Sequence, residues 1–93
     1  MNLNTAPELS QNIDPFAIVM DEARNVLWIA DGYNHKVRSI NLHTNRLSSN
    51  DMMKSLVNPS ALALDEESLW IADSATSQIH RYFDLSRINI QTA

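Results

Sequence analysis

Apolar residues in this chain fall into short blocks rather than into a long helical stripe. Ala17-Ile18-Val19-Met20 is followed by a polar stretch, then by Val26-Leu27-Trp28-Ile29-Ala30, another polar stretch, and the mixed segment Lys36 to Leu42. The same order returns as Ala61-Leu62-Ala63-Leu64, Leu69-Trp70-Ile71-Ala72 and Gln78 to Phe83. Leu-Trp-Ile-Ala-Asp itself occurs twice, as Leu27 to Asp31 and Leu69 to Asp73, and each copy is preceded by an x-Pro dipeptide, Asp14-Pro15 or Asn58-Pro59. The chain therefore reads as two copies of one unit about forty residues long.

A helical reading exists, with Asp14 or Asn58 as N-cap, Pro15 or Pro59 at the first helical position, and Phe16, Val19, Met20, Ala23, Leu27 and Ala30 as the stripe. The spacing between copies rejects it. Asp21 precedes Leu27 by six positions and Asp65 precedes Leu69 by four. On a helix that two-residue difference rotates everything downstream by roughly 200°, whereas between two strands it only shortens a hairpin loop. The expected strands are about Ala17–Met20, Val26–Ala30, Lys36–Leu42 and Arg46–Ser49, then Ala61–Leu64, Leu69–Ala72, Gln78–Phe83 and Arg87–Gln91. Four antiparallel strands per unit make a propeller blade. The first two strands of each unit are apolar at successive positions, as expected of a sheet covered on both faces. The fold expected is all-β: two four-stranded antiparallel propeller blades, at about residues 14–50 and 58–92 of a single unit spanning 1–93. Met1–Ile13 and Met52–Leu56 are equivalent connectors, the first alternatively a strand completing a neighbouring blade.

Composition narrows the function classes. The chain has 93 residues, no cysteine and a net charge of −4. The missing cysteines exclude disulfides, a thiol nucleophile and cysteine-based metal sites. Net acidity weighs against nucleic acid, although Lys36, Arg38 and Arg46 with His35 and His43 form an acid-free stretch. No apolar run is long enough for a membrane helix. Met1–Ile13 lacks the basic and apolar regions of a secretory signal, which leaves the cytoplasm as the default compartment.

The residues resemble an NHL repeat. Its pattern is met by Pro15, Ile18 to Asp21, Leu27 to Asp31 and Asn34-His35-Lys36-Val37, and in the second copy by Pro59, Leu62 to Asp65 and Leu69 to Asp73. There Thr76-Ser77-Gln78-Ile79 replaces the signature. The family commonly carries glycine after the proline and in the first turn, where this chain has Phe16 or Ser60, and its one glycine is Gly32. The resemblance implies about six blades per ring. Three copies of a two-blade chain would close such a ring head to tail, unless the chain is a piece of a longer propeller.

No catalytic pattern is present: there is no Gly-x-Ser-x-Gly, no His-Glu-x-x-His and no phosphate loop. The resemblance implies a non-enzymatic interaction scaffold without a cofactor, binding a protein or a small ligand. The candidate contact residues are Tyr33, Asn34, His35 and Lys36 in one loop, with Arg38, His80 and Arg81 on the third strands. A propeller hydrolase or lyase is the alternative, with a channel metal for which Asp14 and Asn58 are the nominees; RNA binding is the third reading. Asp31 and Asp73 are expected to accept backbone N–H bonds in the loop that follows each. Trp28 and Trp70 are both expected between blades, with their N–H groups satisfied.

Overall fold

A computed structural model of the chain describes residues 13–49, 55–83 and 85. The described residues are all-β, in seven strands: β1 Pro15–Asp21, β2 Val26–Asp31, β3 Lys36–Asn41, β4 Arg46–Ser49, β5 Pro59–Leu64, β6 Leu69–Asp73 and β7 Gln78–Tyr82. They form two antiparallel sheets, β1-β2-β3-β4 and β5-β6-β7, in chain order. The expected strand at Arg87–Gln91 and most of both connectors lie outside the described residues.

Register confirms that the two sheets are copies. Val19 pairs with Trp28 as Ala63 pairs with Trp70, and each first strand shifts register once, between Pro15 and Ala17 or between Pro59 and Ala61. A proline at the first residue of a strand, next to a bulge, costs no ladder hydrogen bond. The two-residue difference between copies sits in the β1–β2 and β5–β6 hairpin loops and leaves the strand pairing intact.

Turn chemistry explains how a chain with one glycine makes these hairpins. Asn25, His35, Asn45 and Ser77 hold φ of 57°, 61°, 59° and 57°. Each lies four positions after an Asp or Asn: Asp21, Asp31, Asn41 and Asp73. Three of those side chains accept a backbone N–H from the turn: Arg24 to Asp21, Thr44 to Asn41 and Ala75 to Asp73. The left-handed conformation that glycine adopts most readily is thus borne by Asn, His and Ser, with the preceding Asx residue holding most of these loops closed.

The sheets pack face to face through one apolar layer. Val19, Val26, Trp28 and Val37 of the first sheet meet Leu62, Leu64, Leu69, Ile71 and Tyr82 of the second, with Leu56 and Leu85 in the same cluster. Alternation along the strands means that the first sheet contributes its tryptophan face and the second the opposite face, which carries Ile71. Trp28 is therefore fully buried, whereas Trp70 points away from the contact and is 37% exposed. The expectation of two equivalent inter-blade tryptophans holds for the first copy only among the described residues. Burying Trp28 costs no polar satisfaction, because its indole N–H donates to Asp21 at 3.4 Å. At the ends of the layer Arg24 donates to the Glu66 carbonyl, and the His35 ring bonds the Val57 carbonyl.

Ser77 is the least suited of the four left-handed residues in these hairpin turns. Ser77→Gly should raise unfolding free energy by about 0.5–1 kcal/mol, and the β-branched Ser77→Val should lower it by about 1 kcal/mol, both measured by urea titration.

Candidate functional site: the loop end of the two sheets

The repeated pentapeptide ends in a carboxylate, and that carboxylate organises one end of each sheet. Asp31 is buried and accepts the Asp14 N–H at 3.1 Å, the Asn34 amide at 3.0 and 2.9 Å, and the Arg38 Nε at 2.8 Å. Asp73, also buried, accepts the N–H groups of Val57, Asn58 and Ala75 at 2.8, 3.0 and 3.2 Å. Each carboxylate therefore ties the segment leading into the first strand of its sheet to the turn after the second. The expected bonds to the following loop are present at Asp73 through Ala75; at Asp31 the loop responds with a side chain, Asn34, instead.

Electrostatics follows from these donors. Burial opposes ionisation of both aspartates. It is outweighed at Asp31 by Asn34, the Asp14 N–H and Arg38, and at Asp73 by the N–H donors of Val57, Asn58 and Ala75, so both carboxyls titrate below their ordinary 3.8. At the far end of the second sheet the Trp70 indole and the Glu67 N–H likewise hold Asp65 well below the usual carboxylate range.

With Asp31 fixing its base, the Gly32–His35 turn stands next to the segment leading into β5. An open groove of about 650 Å³ runs between them, lined by Phe16, Tyr33, Asn34, His35, Val57 and Asn58. Gly32 forms part of its floor: a Cβ there would lie 2.5 Å from Asn58 Oδ1 and 2.8 Å from Phe16 Cδ2. Any larger residue would have to displace the Asn58 and Phe16 side chains. A second hollow of about 320 Å³ lies beside it between Ile13, Asp14, Tyr33 and Asn34. Tyr33 separates the two and is 74% exposed, while Lys36 is exposed at the start of β3.

The seven contact residues expected from the sequence do not gather in one place. Tyr33, Asn34 and His35 line the groove, and Lys36 follows them, exposed at the start of β3. Asn34 and Arg38 are both bonded to Asp31, and Arg38 is largely buried. His80 shares a face with Ile71 and stacks on Tyr82, with ring centroids 6.4 Å apart. Arg81 lies on the opposite face, over the Trp70 ring at 4.6 Å and the Phe83 ring at 4.2 Å, and donates to Ser68 at 3.0 Å and Asp65 at 3.2 Å. Phe16 and Val57 were not among the expected residues; their only signal is that they flank the two x-Pro dipeptides.

As for a metal, the Asp14 N–H is given to Asp31, and the Asn58 amide donates to the Ser74 hydroxyl at 2.9 Å. Among the described residues no three His, Asp or Glu side chains stand close enough to share an ion.

No model of a known protein family matches the chain. The sequence is 31% identical, over 80 aligned residues covering 70% of this chain, to NHL repeat-containing protein 2 of Homo sapiens. The aligned part is 11% of that protein, so the chain spans about a tenth of the relative's length. This distant, partial likeness points to an NHL-repeat relationship.

The lowered carboxyls at Asp31 and Asp73 make a signed prediction. A group whose folded pKa lies below its unfolded value stabilises above the unfolded value and loses that contribution as pH falls through the folded one. Asp73→Asn should lower stability at pH 7 by about 2 kcal/mol, the scale of a hydrogen bond to a charged group. Its gap to wild type should narrow as pH drops below 3.8. Denaturant midpoints at pH 7, 5 and 3 would measure both effects.

Proposed function

We propose that the chain is a two-blade unit of NHL-repeat propeller type, with blades at about 14–50 and 58–92, and that it works as a non-enzymatic protein-interaction scaffold. Support for the repeat type is the paired architecture together with the likeness to an NHL repeat-containing protein. The observation that carries the binding role is the groove at the loop end. It is shared by both blades, buried Asp31 and Gly32 lie at its base, and an exposed tyrosine stands at its rim, with the exposed Lys36 next in sequence to His35. A tyrosine beside an apolar pocket is the kind of anchor that concentrates binding energy at protein interfaces. The occupant that fits is a peptide segment or loop of another protein, with an apolar side chain against Phe16 and Val57 and an acidic group near Lys36.

Selection of a phage-displayed peptide library on the immobilised chain tests this reading. Enriched peptides should lose at least about tenfold in affinity for a Tyr33→Ala/Lys36→Glu double variant whose far-UV circular dichroism is unchanged. Peptides that bind the double variant as tightly as wild type would place the binding surface elsewhere.

A further inference from the structure

The smaller hollow at the loop end differs in chemistry from the groove beside it. It lies between Ile13, Asp14, Tyr33 and Asn34 and measures about 320 Å³. A carboxylate and an aromatic ring line it together, and the tyrosine is 74% exposed. Asp14 is exposed as well, and it is the backbone N–H of Asp14, not its carboxylate, that bonds Asp31 at 3.1 Å. Among the described residues none donates to the Asp14 carboxylate. Its main chain is therefore pinned while its charge stays available to a ligand. The second sheet shows what a ring and a carboxylate together can hold. There Arg81 lies over the Trp70 ring, with Cζ 4.6 Å from the ring centre and Nη2 3.2 Å from Asp65 Oδ2. A guanidinium presents a flat face to a ring and an edge of N–H donors to a carboxylate at the same time, which an ammonium group does not.

We propose that the Asp14–Tyr33 hollow is a subsite for an arginine side chain of a partner protein, its guanidinium stacked on Tyr33 and paired with Asp14. The proposal rests on the reading of the loop end as a peptide-binding surface and adds the partner's chemistry to it. Tyr33 lines both hollows. A segment crossing it sets an arginine on one side and an apolar side chain against Phe16 and Val57 on the other. The chain's net charge of −4 favours the approach of a basic segment. An exposed ion pair and an exposed cation–π contact are each modest, so the subsite selects among segments more than it tightens binding.

Titration of the isotope-labelled chain with N-acetyl-arginine amide, followed by NMR, tests the subsite without any peptide. The amide signals of Ile13, Asp14, Tyr33 and Asn34 should shift and saturate in the millimolar range. N-acetyl-citrulline amide, which has the same shape and no charge, should bind at least about fivefold more weakly. Asp14→Asn keeps the backbone bond to Asp31 and removes the charge. It should lower the affinity for the arginine amide about threefold to fivefold and leave that for the citrulline amide unchanged. Citrulline binding as tight as arginine binding would overturn the proposal. So would arginine shifts confined to other residues, or an arginine affinity indifferent to Asp14→Asn. A chain that ignores the arginine amide refutes the subsite and leaves the groove to be judged by the peptide selection. Arginine binding at Asp14, together with selected peptides that tolerate Tyr33→Ala/Lys36→Glu, would keep the subsite and remove the groove from the partner's path.

Discussion

A β-sheet whose two faces are both apolar cannot stand alone in water, and that constraint shapes this molecule. Strands β1, β2, β5 and β6 carry apolar residues at successive positions, so alternation sends half of them to each side. One side of each sheet is covered by the other sheet, with fully buried Trp28, Leu69 and Ile71 at its centre. A closed sandwich would have polar outer faces, and here Ile18, Met20, Trp70 and Ile79 face outwards.

Polar groups are arranged so that this layer forms without stranding any of its main donors. Four aspartates, two per repeat, act at the corners. Asp21 and Asp65 accept the indole N–H of Trp28 and Trp70 while closing the first hairpin of each sheet. Asp31 and Asp73 tie down the segments that lead into those sheets. The same carboxylates that let a tryptophan be buried also set the hairpin geometry, and those at the other end hold the loops that frame the groove. Stability and the candidate binding surface consequently share a cause: Asp31 both ties the chain down and holds the turn that frames the groove.

Much of the fold was legible because a repeat supplies its own control. The two-residue difference between Asp21–Leu27 and Asp65–Leu69 is incompatible with helix and harmless in a hairpin, and the limits of the seven described strands followed to within two residues. Equivalence of residue type, however, says nothing about which neighbour each copy meets, and so Trp70 read like Trp28 although one is exposed and the other is not. The scarcity of glycine in the turns had a similar resolution. Asn25, His35, Asn45 and Ser77 adopt the left-handed conformation, each four places after an Asx side chain, a spacing present in the sequence but visible only once the turns are known. The loop at Tyr33 was legible as an exposed signature. The engagement of Asn34 and Arg38 with Asp31 was not, because it depends on strand register.

The central claim is that the two blades form one packed unit through the Trp28 layer. Urea unfolding of a Trp70→Phe variant, followed at once by Trp28 fluorescence and by far-UV circular dichroism, tests it directly. The account predicts a single transition with coincident midpoints, since Trp28 leaves its buried site only when both sheets come apart. Separate midpoints, with Trp28 exposed to solvent while strand signal persists, would contradict it.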